Sequence, residues 1–216
     1  MMPRMAPGAA LTATGVVAVV RGTRADRVTD VLDVLDVLAA AGVRCLEVTL
    51  NTPGALDALG AARDRLPGDA DLGAGTVRTA AEAKAAVAAG ASFLVAPDTN
   101  AEVAAVARDA GVGYYPGALT PTEVARAWDL GATAVKIFPA STFGPRYLRA
   151  LAEPFRDVLL LPTGGIGPDD AADYIAAGAV AVGAGGSLIG DALDGGSLDA
   201  LASRARRLLA TVEAAR

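Results

Sequence analysis

Lys136 stands in Ala134-Val135-Lys136-Ile137-Phe138-Pro139, where all five of its neighbours are apolar. Keeping an ammonium charged in such surroundings is costly. The chain holds 19 basic residues, yet only Lys84 and Lys136 are lysines, so arginine is the default cation and position 136 calls for an amine. Arginine stays protonated at any working pH, whereas a desolvated lysine can shed its proton and attack a carbonyl. The same residue also admits a structural reading, in which a strand-end lysine reaches solvent or pairs with a carboxylate.

The carboxylate that suits it is Glu47. In Cys45-Leu46-Glu47-Val48-Thr49-Leu50, alternation along a strand puts 45, 47 and 49 on one face and 46, 48 and 50 on the other. If the even positions pack against helices, Glu47 points into the interior, where it needs a cation or a proton. Glu47 and Lys136 are therefore expected as neighbours. They form either a buried ion pair or an amine nucleophile with its general acid and base.

Two glycine-rich turns complete the set. Pro162-Thr163-Gly164-Gly165-Ile166 and Gly183-Ala184-Gly185-Gly186-Ser187 would let backbone N–H groups approach an anion closely. Gly73-Ala74-Gly75-Thr76 offers further donors and a hydroxyl for a carboxylate, or is simply a tight turn that caps the next helix through Thr76 or Thr79.

Short apolar runs alternating with helical segments must position these groups. The strand-helix units are 15–20 with 25–41, 45–49 with 53–66, 71–74 with 80–89, and 93–96 with 102–110. They continue as 113–115 with 121–130, 134–138 with 146–152, 158–161 with 169–177, and 180–182 with 198–214. Gly42, Gly90, Gly111, Gly131 and Gly178 fall just past successive helices, where C-caps favour glycine. Eight such units predict an α/β fold, a single (β/α)8 TIM barrel over 15–216, preceded by a loose lead-in over 1–14. An open doubly wound sheet is the competing architecture; closure is favoured because it removes edge strands. In a barrel, chemistry gathers where strands end. That rule adds Arg21, Asn51 and Pro97 to the candidates.

Composition narrows the chemistry. The absence of histidine removes Ser-His-Asp and Cys-His systems and most zinc sites, so no metal or other cofactor is expected. A net charge of -5 and an aromatic share of 4% argue against a nucleic-acid surface. The single cysteine, Cys45, allows no intrachain disulfide, and the apolar run at 15–20 is too short to span a membrane. No signal peptide is read at the start, and a cytoplasmic protein is expected.

Taken together, Leu46-Glu47-Val48-Thr49-Leu50, Gly73-Ala74-Gly75-Thr76-Val77, Pro116-Gly117, Thr120-Pro121-Thr122-Glu123, Val135-Lys136-Ile137-Phe138-Pro139-Ala140, Pro162-Thr163-Gly164-Gly165-Ile166 and Gly185-Gly186-Ser187 resemble the successive motifs of the 2-keto-3-deoxy-6-phosphogluconate aldolases. These are also described as 4-hydroxy-2-oxoglutarate aldolases. The resemblance implies a metal-free class I aldolase, commonly a homotrimer, that cleaves a 2-keto-3-deoxy sugar acid phosphate to pyruvate and glyceraldehyde 3-phosphate. It implies Lys136 as the Schiff-base lysine, Glu47 as general acid and base, and Thr76 with Gly75 at the pyruvyl carboxylate. Gly164, Gly165, Gly186 and Ser187 would hold the phosphate, and Arg21 could serve either anionic end. Asn51 departs from the pattern, since many members of the gluconate branch carry arginine there. The run around it is more similar to the 6-phosphogalactonate branch, whereas Thr163 is similar to the gluconate branch. Two rivals remain: a phosphate-binding barrel of another reaction class, such as an isomerase or transferase, and a non-catalytic sugar-phosphate binder.

Overall fold

Strand and helix alternate as the apolar spacing dictates. The computed structural model describes residues 4–23 and 28–216. In chain order its elements are α1 (Ala9–Thr14), β1 (Val16–Val20), α2 (Val28–Ala40), β2 (Cys45–Thr49), α3 (Ala55–Ala62), β3 (Asp71–Gly75), α4 (Ala80–Ala88), β4 (Phe93–Val95) and α5 (Ala101–Ala110). There follow β5 (Gly113–Tyr115), β6 (Gly117–Ala118), α6 (Pro121–Asp129), β7 (Val135–Ile137), α7 (Gly144–Ala152), β8 (Leu160–Pro162), α8 (Ala171–Ala176), β9 (Val182–Ala184), α9 (Gly186–Ile189) and α10 (Leu198–Ala215). Thr79 and Thr120 open α4 and α6 with capping boxes closed by Glu82 and Glu123. The five helix-stopping glycines all take positive φ, from 67° at Gly111 to 105° at Gly42.

The strands form a curled, all-parallel α/β arrangement. Six of them make one sheet in the order β5-β4-β3-β2-β1-β9, and β6-β7-β8 make another. The expected uninterrupted ladder of eight is broken at two places. Pro116, which has no N–H, separates β5 from β6. Between β8 and β9 the isolated bridges Leu160↔Ala179 and Thr163↔Gly183 replace a continuous pairing.

Alternation sorts the side chains into two cores. Leu46, Val48, Val135, Ile137, Leu160, Val182 and Ala184 face the helices in the larger cluster. Val17, Val19, Cys45, Phe93, Val95, Tyr115, Ala134 and Leu161 make a separate cluster on the opposite face. Glu47 lies between Cys45 and Thr49, and Lys136 follows Ala134 by two, so both share that inner face.

Three differences from the sequence expectation have local causes. Residues 9–14 are helical rather than loose: Leu11 is fully buried in the inner cluster, and Gly15 ends the helix at φ 65°. Gly75 lies within β3 rather than in the turn after it, paired with Thr49. The last two strands start two residues later than their apolar runs, because Val158 and Val180 are apolar without being paired in a strand. The expected start of the first helix, at residues 25–27, lies outside the described residues.

Because Leu11 fills the inner cluster from outside the sheet, Leu11→Ala should destabilise the protein by about 2–5 kcal/mol. Urea unfolding measures this, and a change below about 1 kcal/mol would show that α1 does not contribute to the core.

Candidate active site

The ends of β1, β7, β8 and β9 surround a cavity of about 320 Å3. Its walls are Val19 on β1 with Arg21 and Thr23 after it, Lys136 on β7 with Phe138 after it, Thr163, Gly164 and Gly165 after β8, and Gly185, Gly186, Ile189, Gly190, Leu193 and Asp194 after β9. Six of the sequence candidates therefore meet in one place: Arg21, Lys136, Thr163, Gly164, Gly165 and Gly186.

Lys136 is 5% exposed. Its backbone N–H donates to Pro116 O at 2.9 Å, and it stands in register with Gly117 and Leu161. Burial lowers its pKa from the ordinary 10.5; the charge of Glu47 opposes that shift, and the charge of Arg21 adds to it. Its Nζ lies 5.0 Å from the centre of the Phe138 ring.

Glu47 is 2% exposed on β2. Burial raises its pKa from the ordinary 4.5, against the pull of Lys136 and then of Arg21. Its Oε1 is buried and has no hydrogen-bond partner in the structure. Lysine and glutamate thus sense each other's charge without closing a hydrogen bond through that oxygen. A buried carboxylate beside an amine, with one oxygen that no protein donor reaches, can accept a proton.

Glycine makes room for this carboxylate. A Cβ built on Gly75 would fall 1.7 Å from Glu47 Oε1, and one on Gly183 would fall 2.3 Å from Thr163 Oγ1. No other residue type fits those inward positions without displacing the side chain of the next strand.

The remaining candidates lie around this centre rather than on the cavity wall. Thr76 follows Gly75 at φ 56°, the only non-glycine residue with positive φ among the described residues, and is half-buried. A β-branched residue in that region is strained. Asn51 is exposed in the turn after β2. Pro97 lines a neighbouring cavity of about 250 Å3, which shares Phe138 with the first. Ser187 is exposed, and its hydroxyl donates to Ile166 O, tying the β9 turn to the β8 turn. The loop after β7 is tied to the same turn, since Ala140 N donates to Thr163 O at 2.9 Å and Ser141 N to Gly164 O at 3.1 Å.

Sequence reasoning missed Thr23, Ile189, Gly190, Leu193 and Asp194 on the wall. Strand ends were the signal used, and these residues come three to ten positions later. Phe138 lay inside the quoted β7 motif but was not assigned a place in the site.

Comparison with known proteins decides what this arrangement belongs to. The family model for KDPG and KHG aldolase matches residues 8–202. The chain belongs to the KDPG and KHG aldolase family. A 2-dehydro-3-deoxy-phosphogluconate aldolase of Treponema pallidum is 43% identical over 136 residues, which are 62% of this chain and 64% of that protein. The solved structure of a 4-hydroxy-2-oxoglutarate/2-dehydro-3-deoxyphosphogluconate aldolase from TTHB1 is 43% identical, with a TM-score of 0.83 over 96% of this chain and 99% of that one. A KDPG aldolase from Legionella pneumophila, solved with pyruvate captured as a covalent carbinolamine, is 29% identical, with a TM-score of 0.83 over 94% of this chain and 97% of that one. The KDPG and KHG aldolase match spans every residue on the cavity wall. It agrees with the family read from the sequence motifs.

Two outcomes follow from the site of this aldolase-family chain. The lowered pKa of Lys136 should bring its reductive methylation by formaldehyde and cyanoborohydride to half-maximal rate below pH 10.5. Peptide mass spectrometry across a pH series reads this directly, and a midpoint at or above 10.5 would contradict the desolvated amine. Thr76→Asn should stabilise the fold by about 1 kcal/mol in urea unfolding, because asparagine tolerates the left-handed backbone. A loss of stability would show that the hydroxyl holds the turn.

Proposed function

We propose that this protein is a class I aldolase whose imine forms at Lys136. The observation that carries this reading is an amine, desolvated and lowered in pKa, on the wall of a cavity and coupled by charge to a buried carboxylate with an unpartnered oxygen. The substrate is a 2-keto-3-deoxy-6-phospho sugar acid, cleaved to pyruvate and glyceraldehyde 3-phosphate. The shared family supports a second cleavage, of 4-hydroxy-2-oxoglutarate to pyruvate and glyoxylate.

The steps balance with the groups present. The neutral amine adds to the C2 carbonyl, and a proton given by Glu47 lets the carbinolamine hydroxyl leave as water, giving an iminium and a Glu47 carboxylate. The hydroxyl proton at C4 passes to the Glu47 carboxylate while the C3–C4 bond breaks. Its electron pair moves into the iminium, giving an enamine and a free aldehyde. Returning a proton to C3 and adding water restores the lysine and releases pyruvate. A carboxyl whose pKa is raised by burial suits a group that must both take and give a proton.

Binding divides between two ends. Thr76 and the backbone beside Gly75 serve the pyruvyl carboxylate, with Asn51 and Pro97 at the edge of that region. The turns carrying Thr163, Gly164, Gly165, Gly186 and Ser187 serve the phosphate through backbone N–H groups. Arg21 is on the same wall as Lys136 and is available to an anionic end.

The same reading covers the architecture. Counting β5 and β6 as one strand broken at Pro116, and taking the Thr163↔Gly183 bridge as the seam, the nine segments compose one closed eight-stranded barrel. Residues 15–216 form that single domain, and α1 packs against its inner face. A homotrimer is what the family resemblance implies; Phe143, 55% exposed and tilted against the Tyr147 ring, is an apolar group available to such a contact. No helix among the described residues is long and apolar enough to cross a membrane, in keeping with a cytoplasmic enzyme.

Borohydride added with pyruvate should leave a reduced pyruvyl adduct on the peptide containing Lys136 and spare Lys84. Lys136→Arg should keep the fold and abolish both adduct and cleavage. Labelling confined to Lys84, or turnover surviving in Lys136→Arg, would sink the assignment.

A further inference from the structure

The wall of the cavity formed by the β9 turn is anchored by the buried side chains of Leu188 and Ile189, while the glycines that flank them have no side chain to hold them. α9 is a single turn of four residues ending at Gly190, so its last carbonyls have no partners within the helix. Arg204, on α10, supplies them: its Nε donates to Leu188 O at 2.7 Å and its guanidinium NH2 to Ile189 O at 2.8 Å. The fit leaves no slack, because a Cβ on Gly190 would fall 2.7 Å from the same guanidinium. Charge-assisted bonds of this kind are stronger than neutral ones, and the planar fork reaches two carbonyls at once.

What Arg204 holds is continuous with the cavity. Leu188 N and Ile189 N both donate to Gly185 O at 2.9 Å, and Gly190 N donates to Gly186 O at 2.8 Å. Displacement of the carbonyl end is therefore passed back to Gly185 and Gly186 on the wall. The other end of the turn is tied by the Ser187 hydroxyl to Ile166 O. Arg204 is itself held by α10, whose neighbouring residues Leu201, Ala205 and Leu208 are buried. It lies two residues beyond the stretch that matches the family.

We propose that Arg204 is a positioning residue for the distal anion subsite: it fixes the turn whose backbone N–H groups face the substrate's phosphate, without touching the substrate. The inference rests on the reading of that subsite as the phosphate end.

The test compares kcat/KM for 2-keto-3-deoxy-6-phosphogluconate and for its unphosphorylated counterpart in the wild type and in Arg204→Met, Arg204→Lys and Arg207→Met. In Arg204→Met the phosphorylated substrate should lose about ten- to hundred-fold, chiefly through KM, the scale of a charged hydrogen-bond anchor. The unphosphorylated substrate should lose far less. Arg204→Lys should fall between wild type and Met, and it keeps the test available if Arg204→Met fails to fold. Arg207→Met makes the same charge change one turn further along the helix and should keep the wild-type ratio. If the wild type prefers the phosphorylated substrate and the Arg204 variants keep that preference undiminished, the positioning role is overturned while the phosphate reading stands. A fall in the ratio as large in Arg207→Met would also overturn it, since general charge would then suffice. A wild type with no preference removes the phosphate reading, and the role of Arg204 with it.

Discussion

Desolvation of one amine and one carboxylate inside the same apolar enclosure is the constraint on which the rest depends. Burial pushes Lys136 down and Glu47 up, so folding disfavours the charged form of each. Their mutual attraction opposes both shifts but does not cancel either. The sign for stability follows. A raised carboxyl gives stability that is full below its unfolded value and is lost as the pH climbs through the folded value. A lowered amine gives stability that is full above its unfolded value and is lost as the pH falls through the folded one. Between these limits the native state carries both penalties, and the surrounding core must offset them.

That core is arranged to do so. The helix-facing cluster holds most of the buried aliphatic side chains, while the inner cluster is small and closed from one side by Leu11. The inner face can therefore give up positions to function. β3 presents Gly73 and Gly75 inward, so the Phe93 ring and the Glu47 carboxylate can occupy space that side chains would otherwise fill. A Cβ on Gly73 would lie 2.3 Å from the Phe93 ring. Glycines that read as a turn for binding a ligand have an earlier duty inside the strand, which is to clear the volume for the Glu47 carboxylate and the Phe93 ring.

How much of this was legible depended on how local the cause was. Glu47 and Lys136 could be placed on the inner face because strand alternation is a two-residue rule, and it held at Cys45, Leu46 and Val48. The cap at Thr79, read as an alternative to Thr76, and the five stopping glycines were legible for the same reason, whereas the cap at Thr120 was not read. α1 was not, because its helix is short and owes its order to Leu11 packing on strands far away in sequence. The two breaks in the ladder were hidden too: Pro116 was visible as a residue, but whether it interrupts the strand depends on its neighbours. Leu193, Asp194 and Arg204 belong to a turn and a helix that reach the site from beyond the strand end, and no spacing rule marks such residues.

The site is thus built from two kinds of material with different tolerances. Around Lys136 and Glu47 the geometry is set by buried side chains, and a single added carbon at Gly75 collides with the carboxylate. Around Gly164, Gly165, Gly185 and Gly186 the geometry belongs to backbone turns whose glycines carry no side chain, set between the buried Thr163, Ile166, Leu188 and Ile189. Backbone donors can favour an anion only if they are held in place before it arrives, since otherwise binding must also order the turn. Here the ordering comes from neighbouring elements: Ala140 and Ser141 hold the β8 turn, Ser187 joins the two turns, and Arg204 secures the second from α10. The half around Lys136 and Glu47 is made rigid by packing, and the half around the glycine turns by hydrogen bonds drawn from neighbouring elements.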